Sequence, residues 1–323
     1  MATYKEIKGT QIEVLSSDPS NPVEGQVWYN STDNVLKGSI LTAAGAWATG
    51  GTLNTGRAQL TGAGTVTATL AFGGIPTSND ALTESYNGTN WTEVNDLNTG
   101  RRSYAGSGSQ TAALNSGGYN GSSDVADTEL WNGTNWTEVN NLNTARRTLA
   151  GAKQSSTSTV VFGGIPTRAE IELWNGTNWT EVNNMNTGRH QLGGAGADST
   201  SAIAAGGDSG SITAVAETWN GTNWTEVNDL NNGRNAIAAS GIITSALFFG
   251  GESPSTTGST ELWNGTNWAN DTSMNVARGA LGGSGPSGSS ALAFGGNGPA
   301  SNSNATESFT GAGAVQTRTF TDS

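Results

Sequence analysis

A repeat of about 44 residues constrains the fold of this chain more than any other feature. Its clearest landmark is the tryptophan that ends the motif NGTNW, with copies at Trp91, Trp136, Trp179, Trp224 and Trp268, and a weaker copy, AAGAW, ends at Trp47. An arginine follows each of these tryptophans ten residues later: Arg57, Arg101, Arg146, Arg189, Arg234 and Arg278. A fixed period of this length is typical of folds built from one supersecondary unit that is copied along the chain.

Each copy of the repeat reads as four short strands. After the arginine comes a run of small residues, and then an apolar run that ends in Gly-Gly, as at Gly163-Gly164. The third strand carries Glu-x-Trp, as in Glu172 to Trp174, and the fourth begins Trp-Thr-Glu-Val. Between them, Asn-Gly-Thr-Asn is a hairpin turn whose Asn-Gly tolerates positive φ. Short strands with frequent turn signals indicate an all-β fold, and the fixed period favours the radial blades of a β-propeller.

The units at both ends of the chain are degenerate but keep the register. The segment QVWYN, which contains Trp28, stands 44 residues before the strand that ends at Phe72, and Glu307 to Phe309 copies the Glu-x-aromatic strand. Atypical end units are common in repeat proteins. The sequence therefore predicts an N-terminal segment over residues 1–12 and a single seven-bladed β-propeller domain over residues 13–323. The alternative is a ring of six blades with an N-terminal arm.

Two resemblances to known proteins follow from these motifs. The order of apolar strand, Gly-Gly, Glu-x-aromatic, Trp, Met or Leu, and Arg resembles the kelch repeat, and Trp179, Met185 and Arg189 keep its spacing. The hairpin from Trp174 to Trp179 is shorter than kelch units usually have. This resemblance implies a propeller of four-stranded blades. The N-terminal stretch from Ser16 to Gly38 resembles the openings of virion and tail-associated proteins of marine bacteriophages.

Charge and composition exclude several classes of partner. The net charge is −12 with 14 basic residues, so the basic stripe expected of a nucleic-acid binder, or of a protein that binds an anionic membrane, is absent. No apolar stretch is long enough for a membrane span, and Met1 to Thr10 lacks the apolar core of a signal peptide. The expectation is a chain without nucleic-acid partners, without membrane insertion and without a signal peptide.

The sequence offers no catalytic constellation. It contains no cysteine and a single histidine, His190, which is expected to be exposed on the surface. One arginine per blade favours a structural ion pair or carbonyl clamp over a catalytic cluster. The expected partners are one of two repeated glutamate sets, either Glu84, Glu129, Glu172, Glu217 and Glu261 or Glu93, Glu138, Glu181 and Glu226. The acidic loop Ser123 to Asp127 lacks an alternating ladder of calcium ligands. The chain is therefore expected to be no enzyme and to need no cofactor or metal.

The loops that follow Gly-Gly differ in every blade, whereas the NGTN turns and the segments before each arginine are nearly constant. Recognition usually lies in such variable loops on a rigid scaffold. The candidate partner-binding residues in these loops are Thr77, Asn79, Asp80, Tyr119, Asn120, Asp124, Arg168, Asp208, Ser209, Glu252, Ser253 and Asn297. They are expected to share one face with the segments that follow each fourth strand.

The function predicted from these observations is structural and binding. The chain is expected to be a propeller module on the tail or surface of a phage virion. Its partners would be other virion proteins or a host-surface glycan or protein, within an oligomeric assembly. The alternative is a carbohydrate-binding propeller lectin, in which the repeated tryptophans stack on sugars instead of packing between blades. A kelch-type interaction module of the cytoplasm is a weaker third possibility.

Overall fold

The computed structural model describes residues 12–19, 26–41, 44–75, 81–298, 301–312 and 315–320. The described residues form β-strands, turns and loops, and they include no helix that could cross a membrane. The strands assemble into seven four-stranded sheets. The predicted all-β fold, with one four-stranded sheet for each sequence unit, is therefore confirmed.

The strands are short and follow the repeat closely. Their bounds are β1 Glu13–Leu15, β2 Val27–Asn30, β3 Val35–Leu41, β4 Ala46–Thr49, β5 Thr61–Gly64, β6 Thr69–Phe72, β7 Thr83–Tyr86, β8 Trp91–Val94, β9 Ala105–Ser109, β10 Ala112–Ser116, β11 Thr128–Trp131, β12 Trp136–Val139, β13 Ala150–Gly151, β14 Thr159–Phe162, β15 Ile171–Trp174, β16 Trp179–Val182, β17 Gly193–Asp198, β18 Ser201–Ala205, β19 Ala216–Trp219, β20 Trp224–Val227, β21 Ala238–Ile242, β22 Ser245–Phe249, β23 Thr260–Trp263, β24 Trp268–Asp271, β25 Gly282–Ser287, β26 Ser290–Phe294, β27 Thr306–Thr310 and β28 Val315–Thr319. The NGTNW tryptophan opens the fourth strand of five of these sheets, as the sequence predicts.

The chain divides into two compact units, whereas the repeat alone predicted a single domain over 13–323. The first unit comprises Met1–Ala46 and Gly311–Ser323, and the second comprises Trp47–Thr310. The sheet of the first unit has the order β1-β2-β3-β28, in which β1 pairs with β2 in parallel and the other pairs are antiparallel. The second unit holds the other six sheets, which we call blades 1 to 6: β5–β8, β9–β12, β13–β16, β17–β20, β21–β24, and β25–β27 with β4.

The blades of the second unit form a closed ring. Their first strands contact one another in the cycle β5, β9, β13, β17, β21, β25 and back to β5. The ring closed within this unit therefore has six blades, the count given by the alternative arrangement, and the seventh sheet belongs to the first unit. Blade 6 is completed by β4, so Trp47 takes the place that the NGTNW tryptophans hold in the other blades.

The repeat needs glycine and other small residues because the inner strands of neighbouring blades lie close together. On the inner strands, a Cβ added at Gly106 would lie 2.5 Å from Thr61 Cγ2 of the preceding blade. At the Gly-Gly pair of blade 3, φ is +74° for Gly163 and +123° for Gly164, conformations that L-residues rarely adopt. The N–H of Gly164 donates to the carbonyl of Arg189 in the next blade at 2.9 Å. The equivalent bond forms at all six blade junctions, so the Gly-Gly motif helps to close the ring.

The repeated tryptophans pack between blades. Trp136 of blade 2 lies against Phe72 of blade 1 with ring centroids 4.9 Å apart, and its indole N–H donates to Thr83 Oγ1 of blade 1 at 3.2 Å. The same bond joins the fourth-strand tryptophan of one blade to the threonine that opens the third strand of the preceding blade in three further pairs: Trp91 with Thr306, Trp179 with Thr128, and Trp47 with Thr260. A buried indole N–H needs such an acceptor.

Two blade junctions lack this threonine. Ile171 opens the third strand of blade 3, and the indole N–H of Trp224 in blade 4 is buried without an acceptor. Ala216 opens the third strand of blade 4, and Trp268 donates instead to the carbonyl of Asn228 at 2.7 Å. The hydroxyl at this position is therefore the main acceptor for the inter-blade tryptophan.

Substitutions at this position should show the hydrogen bond directly. Thr128→Val should destabilise the protein by about 1–3 kcal/mol, because it leaves Trp179 Nε1 buried and unpaired. At the junction that lacks the hydroxyl, Ile171→Thr should be more stable than the isosteric Ile171→Val by about 1 kcal/mol, the reverse of the usual order in a core. Denaturant unfolding of the four proteins measures both differences. Equal stabilities of the two Ile171 variants would contradict this assignment.

Candidate binding face and central channel

The six repeated arginines are buried at the entry to the inner strand of each blade. Each guanidinium pairs with the third-strand glutamate of its own blade, and five of the nitrogen–oxygen distances are between 2.7 and 3.2 Å. The pairs are Arg57–Glu84, Arg101–Glu129, Arg146–Glu172, Arg189–Glu217, Arg234–Glu261 and Arg278–Glu307. Both partners of every pair are almost completely shielded from solvent. Of the two glutamate sets considered above, the third-strand set supplies the partners, and Glu307 extends it.

The same carboxylates also fix the segments that connect the blades. In blade 3, one oxygen of Glu172 pairs with Arg146, and the other accepts the backbone N–H of Asn143 at 2.7 Å. The equivalent asparagine N–H donates to the equivalent glutamate in all six blades. Burial lowers the pKa of Arg146, and the charge of Glu172 opposes that shift. An arginine side chain nevertheless stays protonated in proteins, so each blade keeps a buried charge pair.

The constant NGTN turns are also part of the scaffold. In blade 2, Asn132 Oδ1 accepts the backbone N–H groups of Thr134 and Asn135, and Gly133 has a φ of +93°. Asn95, at the end of the outer strand of blade 1, donates to the carbonyl of Thr134 at 3.0 Å. Equivalent asparagines make this contact at three more junctions. The turn is therefore fixed by inter-blade hydrogen bonds as well as by its own geometry.

The tryptophans offer no platform for a sugar. All eleven are buried, and the most exposed of them, Trp268, keeps 8% of its surface. Stacking of an aromatic ring on a sugar requires an open ring face, which these indoles do not present.

The candidate loop residues lie beside the residues that follow each repeated arginine. Isolated backbone bridges pair Tyr119 with Arg102, Asp208 with His190, Glu252 with Asn235, and Asn297 with Gly279. We call the surface formed by these loops and segments the loop face. His190, expected to be exposed, is half-buried there. Thr77, Asn79 and Asp80 lie outside the described residues.

The remaining candidates have distinct local roles. Asn120 Oδ1 accepts the N–H groups of Ser122 and Ser123, which orders its loop, and Arg168 pairs with Glu170 at 3.3 Å. Ser209 and Ser253 are exposed. Their side chains are available to a partner.

A charged aromatic cluster stands out on the loop face. The guanidinium carbons of Arg102 and Arg147 lie 5.1 and 4.7 Å from the centroid of the Tyr119 ring, within the range of cation–π contacts. Arg147 also pairs with Asp124 at 2.8 Å, and both side chains are about one-third exposed. Tyr119 and Asp124 were predicted from the sequence as partner-binding residues, whereas the two arginines were not. Each of these follows a repeated arginine directly, so their departure from the repeat was the available signal.

A closed ring of backbone hydrogen bonds lies inside the loop face. It joins the second residue after each repeated arginine, and each N–H donates to the carbonyl of the preceding blade at 2.6 to 3.0 Å. Its members are Gln59, Ser103, Thr148, Gln191, Ala236 and Ala280. All six have φ between +50° and +59°, although none is glycine. The closed ring over-determines this left-handed conformation, which is otherwise unfavourable for L-residues.

This ring lines the entrance of a cavity of about 390 Å³ between the inner strands. Lys153 also lines it, and its ammonium lies 3.3 Å from Thr61 Oγ1 on the inner strand of blade 1. Lys153 occupies the seventh position after the repeated arginine, where the other five blades have glycine: Gly64, Gly108, Gly196, Gly241 and Gly285. Desolvation lowers the pKa of Lys153 to about 8. Lys153 was not predicted as a site residue, although it replaces the glycine that the other five blades have at this position.

Comparison with protein families and with curated proteins supplies no function for this chain, so a functional proposal must rest on the geometry described above. No protein-family model matches the chain, and no curated protein matches it. Within the described residues, no group of three or more histidine, aspartate or glutamate side chains is arranged to hold a metal ion.

The buried ion pairs give a stability prediction with a neighbouring control. Arg146→Ala should destabilise the protein by about 3–5 kcal/mol, because Glu172 stays buried without its cation. Arg147→Ala, one residue along the chain, should change the free energy of unfolding by at most about 1 kcal/mol, because its ion pair is partly exposed. Denaturant unfolding compares the two variants. Similar losses in both would contradict the structural role of Arg146.

Lys153 should make stability depend on pH in a defined direction. Its pKa is about 8 in the folded chain and 10.5 for an unperturbed lysine, so the folded state binds fewer protons between these values. Its unfavourable contribution is therefore full below pH 8 and fades as the pH rises toward 10.5. Lys153→Met should be more stable than wild type by up to about 3 kcal/mol near pH 6, and the difference should shrink above pH 8. Urea unfolding of both proteins from pH 6 to 10 measures it, and a difference independent of pH would contradict it.

Proposed function

We propose that this chain is a non-enzymatic binding protein, a propeller module of a phage virion that contacts the host surface or neighbouring virion proteins through its loop face. In this proposal the repeated arginines, glutamates and tryptophans stabilise the fold and do not contact the partner. The variable loops carry recognition, because a rigid scaffold with divergent loops is a common arrangement for binding.

One observation carries the choice of the loop face. At the NGTN turns, the asparagine side chains are engaged in the turn itself or in bonds to the preceding blade, and the pattern repeats around the ring. The loop face differs from blade to blade and presents exposed serines together with the partly exposed Arg147 and Asp124. A surface with unrepeated charges can recognise an asymmetric partner, whereas a surface of identical turns cannot distinguish its own blades.

The resemblance of Ser16 to Gly38 to the openings of phage virion proteins suggests the particle as the location. The buried tryptophans remove the stacking platforms on which the lectin alternative rested. The abundance of Ser, Thr, Gly and Asn in the variable loops favours a partner contact that is mostly polar.

Site-specific photocrosslinking in assembled particles tests this proposal. A photoreactive amino acid is placed at Ser122, Ser209 or Ser253 on the loop face, or at Thr134, Thr177 or Thr266 in the NGTN turns as controls. All six positions are exposed, so the variants should fold alike. The chain should be found in purified particles. Crosslinks to a neighbouring virion protein, or to host cells on adsorption, should come mainly from the loop-face positions.

Two results would contradict the proposal. Absence of the chain from purified particles would contradict the virion location. Crosslinks mainly from the NGTN turns would contradict the assignment of partner contacts to the loop face. Saturable binding of the isolated chain on a glycan array, without a partner in the particle, would favour the lectin alternative.

A further inference from the structure

The central cavity has a charge opposite to that of the chain as a whole. The net charge is −12, yet the charged residues lining the cavity are Lys153, Arg102 and Arg147 against a single carboxylate, Glu252. Arg147 is partly neutralised by Asp124, whereas no carboxylate of the described residues lies within ion-pairing distance of the Lys153 ammonium. A desolvated cation without a counter-charge is unfavourable unless another group supplies one.

Lys153 places that cation in the lining of the cavity. Its backbone lies three residues after the blade 3 position that is equivalent to Thr61, and its Nζ lies 3.3 Å from Thr61 Oγ1 of blade 1. The backbone is held on both sides, because Gly108 donates its N–H to the carbonyl of Lys153 and Lys153 donates its own to Gly196. The backbone that carries the ammonium is therefore held at the channel, and the side chain is partly buried there.

The walls around this cation are made of small side chains. Ala105, Ala150, Gly194, Ala238 and Gly283 line the cavity at the level of Thr61. They leave about 390 Å³ of space, at the small end of the range typical of ligand pockets. The ammonium and the guanidinium groups are donors only, and the Thr61 hydroxyl can also donate. A site made mainly of donors, with net positive charge, selects an anionic acceptor.

We propose that the central channel binds one small oxyanion, a carboxylate, sulfate or phosphate group carried by a small molecule, with Lys153 as its counter-charge. The anion enters from the loop face, past Arg102 and Arg147, and its oxygens accept hydrogen bonds from Lys153 Nζ and Thr61 Oγ1. This inference does not rest on the proposed virion function, because it concerns the isolated chain and a free ion.

Titration of the full chain with inorganic phosphate, sulfate or acetate tests the proposal. Ionic strength is held constant with chloride, and the Cε signals of the lysines are followed by NMR. At least one anion should shift the Lys153 signal saturably at pH 7 and raise its pKa, and comparison of the three shows which oxyanion the channel prefers. Binding should weaken as the pH rises above the pKa of Lys153, because Lys153 then loses the positive charge that attracts the anion.

Variants separate this site from nonspecific screening. Lys153→Met, and Lys153→Gly, which restores the residue of the other five blades, should weaken calorimetric binding of the preferred anion at least tenfold. Both are expected to stay folded, since each removes a partly buried charge that has no ion-pair partner among the described residues. Lys37→Met is the control: its lysine is paired with Asp18 and Asp33 and belongs to the first unit, so affinity should not change. Unchanged affinity in the Lys153 variants, or an unsaturable shift shared by all lysines, would overturn the proposal.

Discussion

The buried arginine at each blade entry is the interaction on which the ring depends. Its side chain pairs with the glutamate of its own blade, and its carbonyl accepts the N–H of the second Gly-Gly residue of the preceding blade. The same glutamate fixes the segment that arrives from the preceding outer strand. One residue thus joins the first strand, the third strand and the connection between blades. A buried ion pair is weak evidence for net stability, and its effect here is to fix the geometry in which one blade meets the next.

Closure adds a constraint that no single blade contains. The hydrogen bonds from Gly-Gly to arginine and the bonds between the left-handed residues at the cavity entrance both form complete cycles of six. A cycle closes only if the rotations between successive blades sum to a full turn, so a deviation at one junction must be compensated at the others. Blade 6 meets this requirement with β4, from the opposite end of the sequence, and Trp47 packs against Phe249 as the other fourth-strand tryptophans pack against their neighbours.

Features that depend on the repeat could be predicted from the sequence, and features of closure could not. The strands, the NGTN hairpin turns and the structural use of the arginines follow from residue types at fixed spacing, as at Arg146, Glu172 and Gly133. The count of blades in the ring does not, because Trp28 and Trp47 keep the register equally well, yet Trp47 belongs to the ring unit and Trp28 does not. The left-handed residues were also hidden: Gln59 and Ala236 carry no signal for positive φ, and only the hydrogen-bonded cycle imposes it.

A perfect repeat would leave the channel neutral and symmetric, and every blade would satisfy the scaffold equally well. Lys153 breaks that symmetry at a position where glycine meets the scaffold's needs in the other five blades, and its desolvated charge opposes folding. Arg102 and Arg147 break the symmetry again at the entrance, on either side of Tyr119. Departures from local consistency tend to mark functional sites, because such residues weaken the fold unless a ligand compensates them. Arg102 and Arg147 lie in the entry segments of blades 2 and 3, and Lys153 lies just after the inner strand of blade 3, so the departures from the repeat are concentrated on one side of the ring.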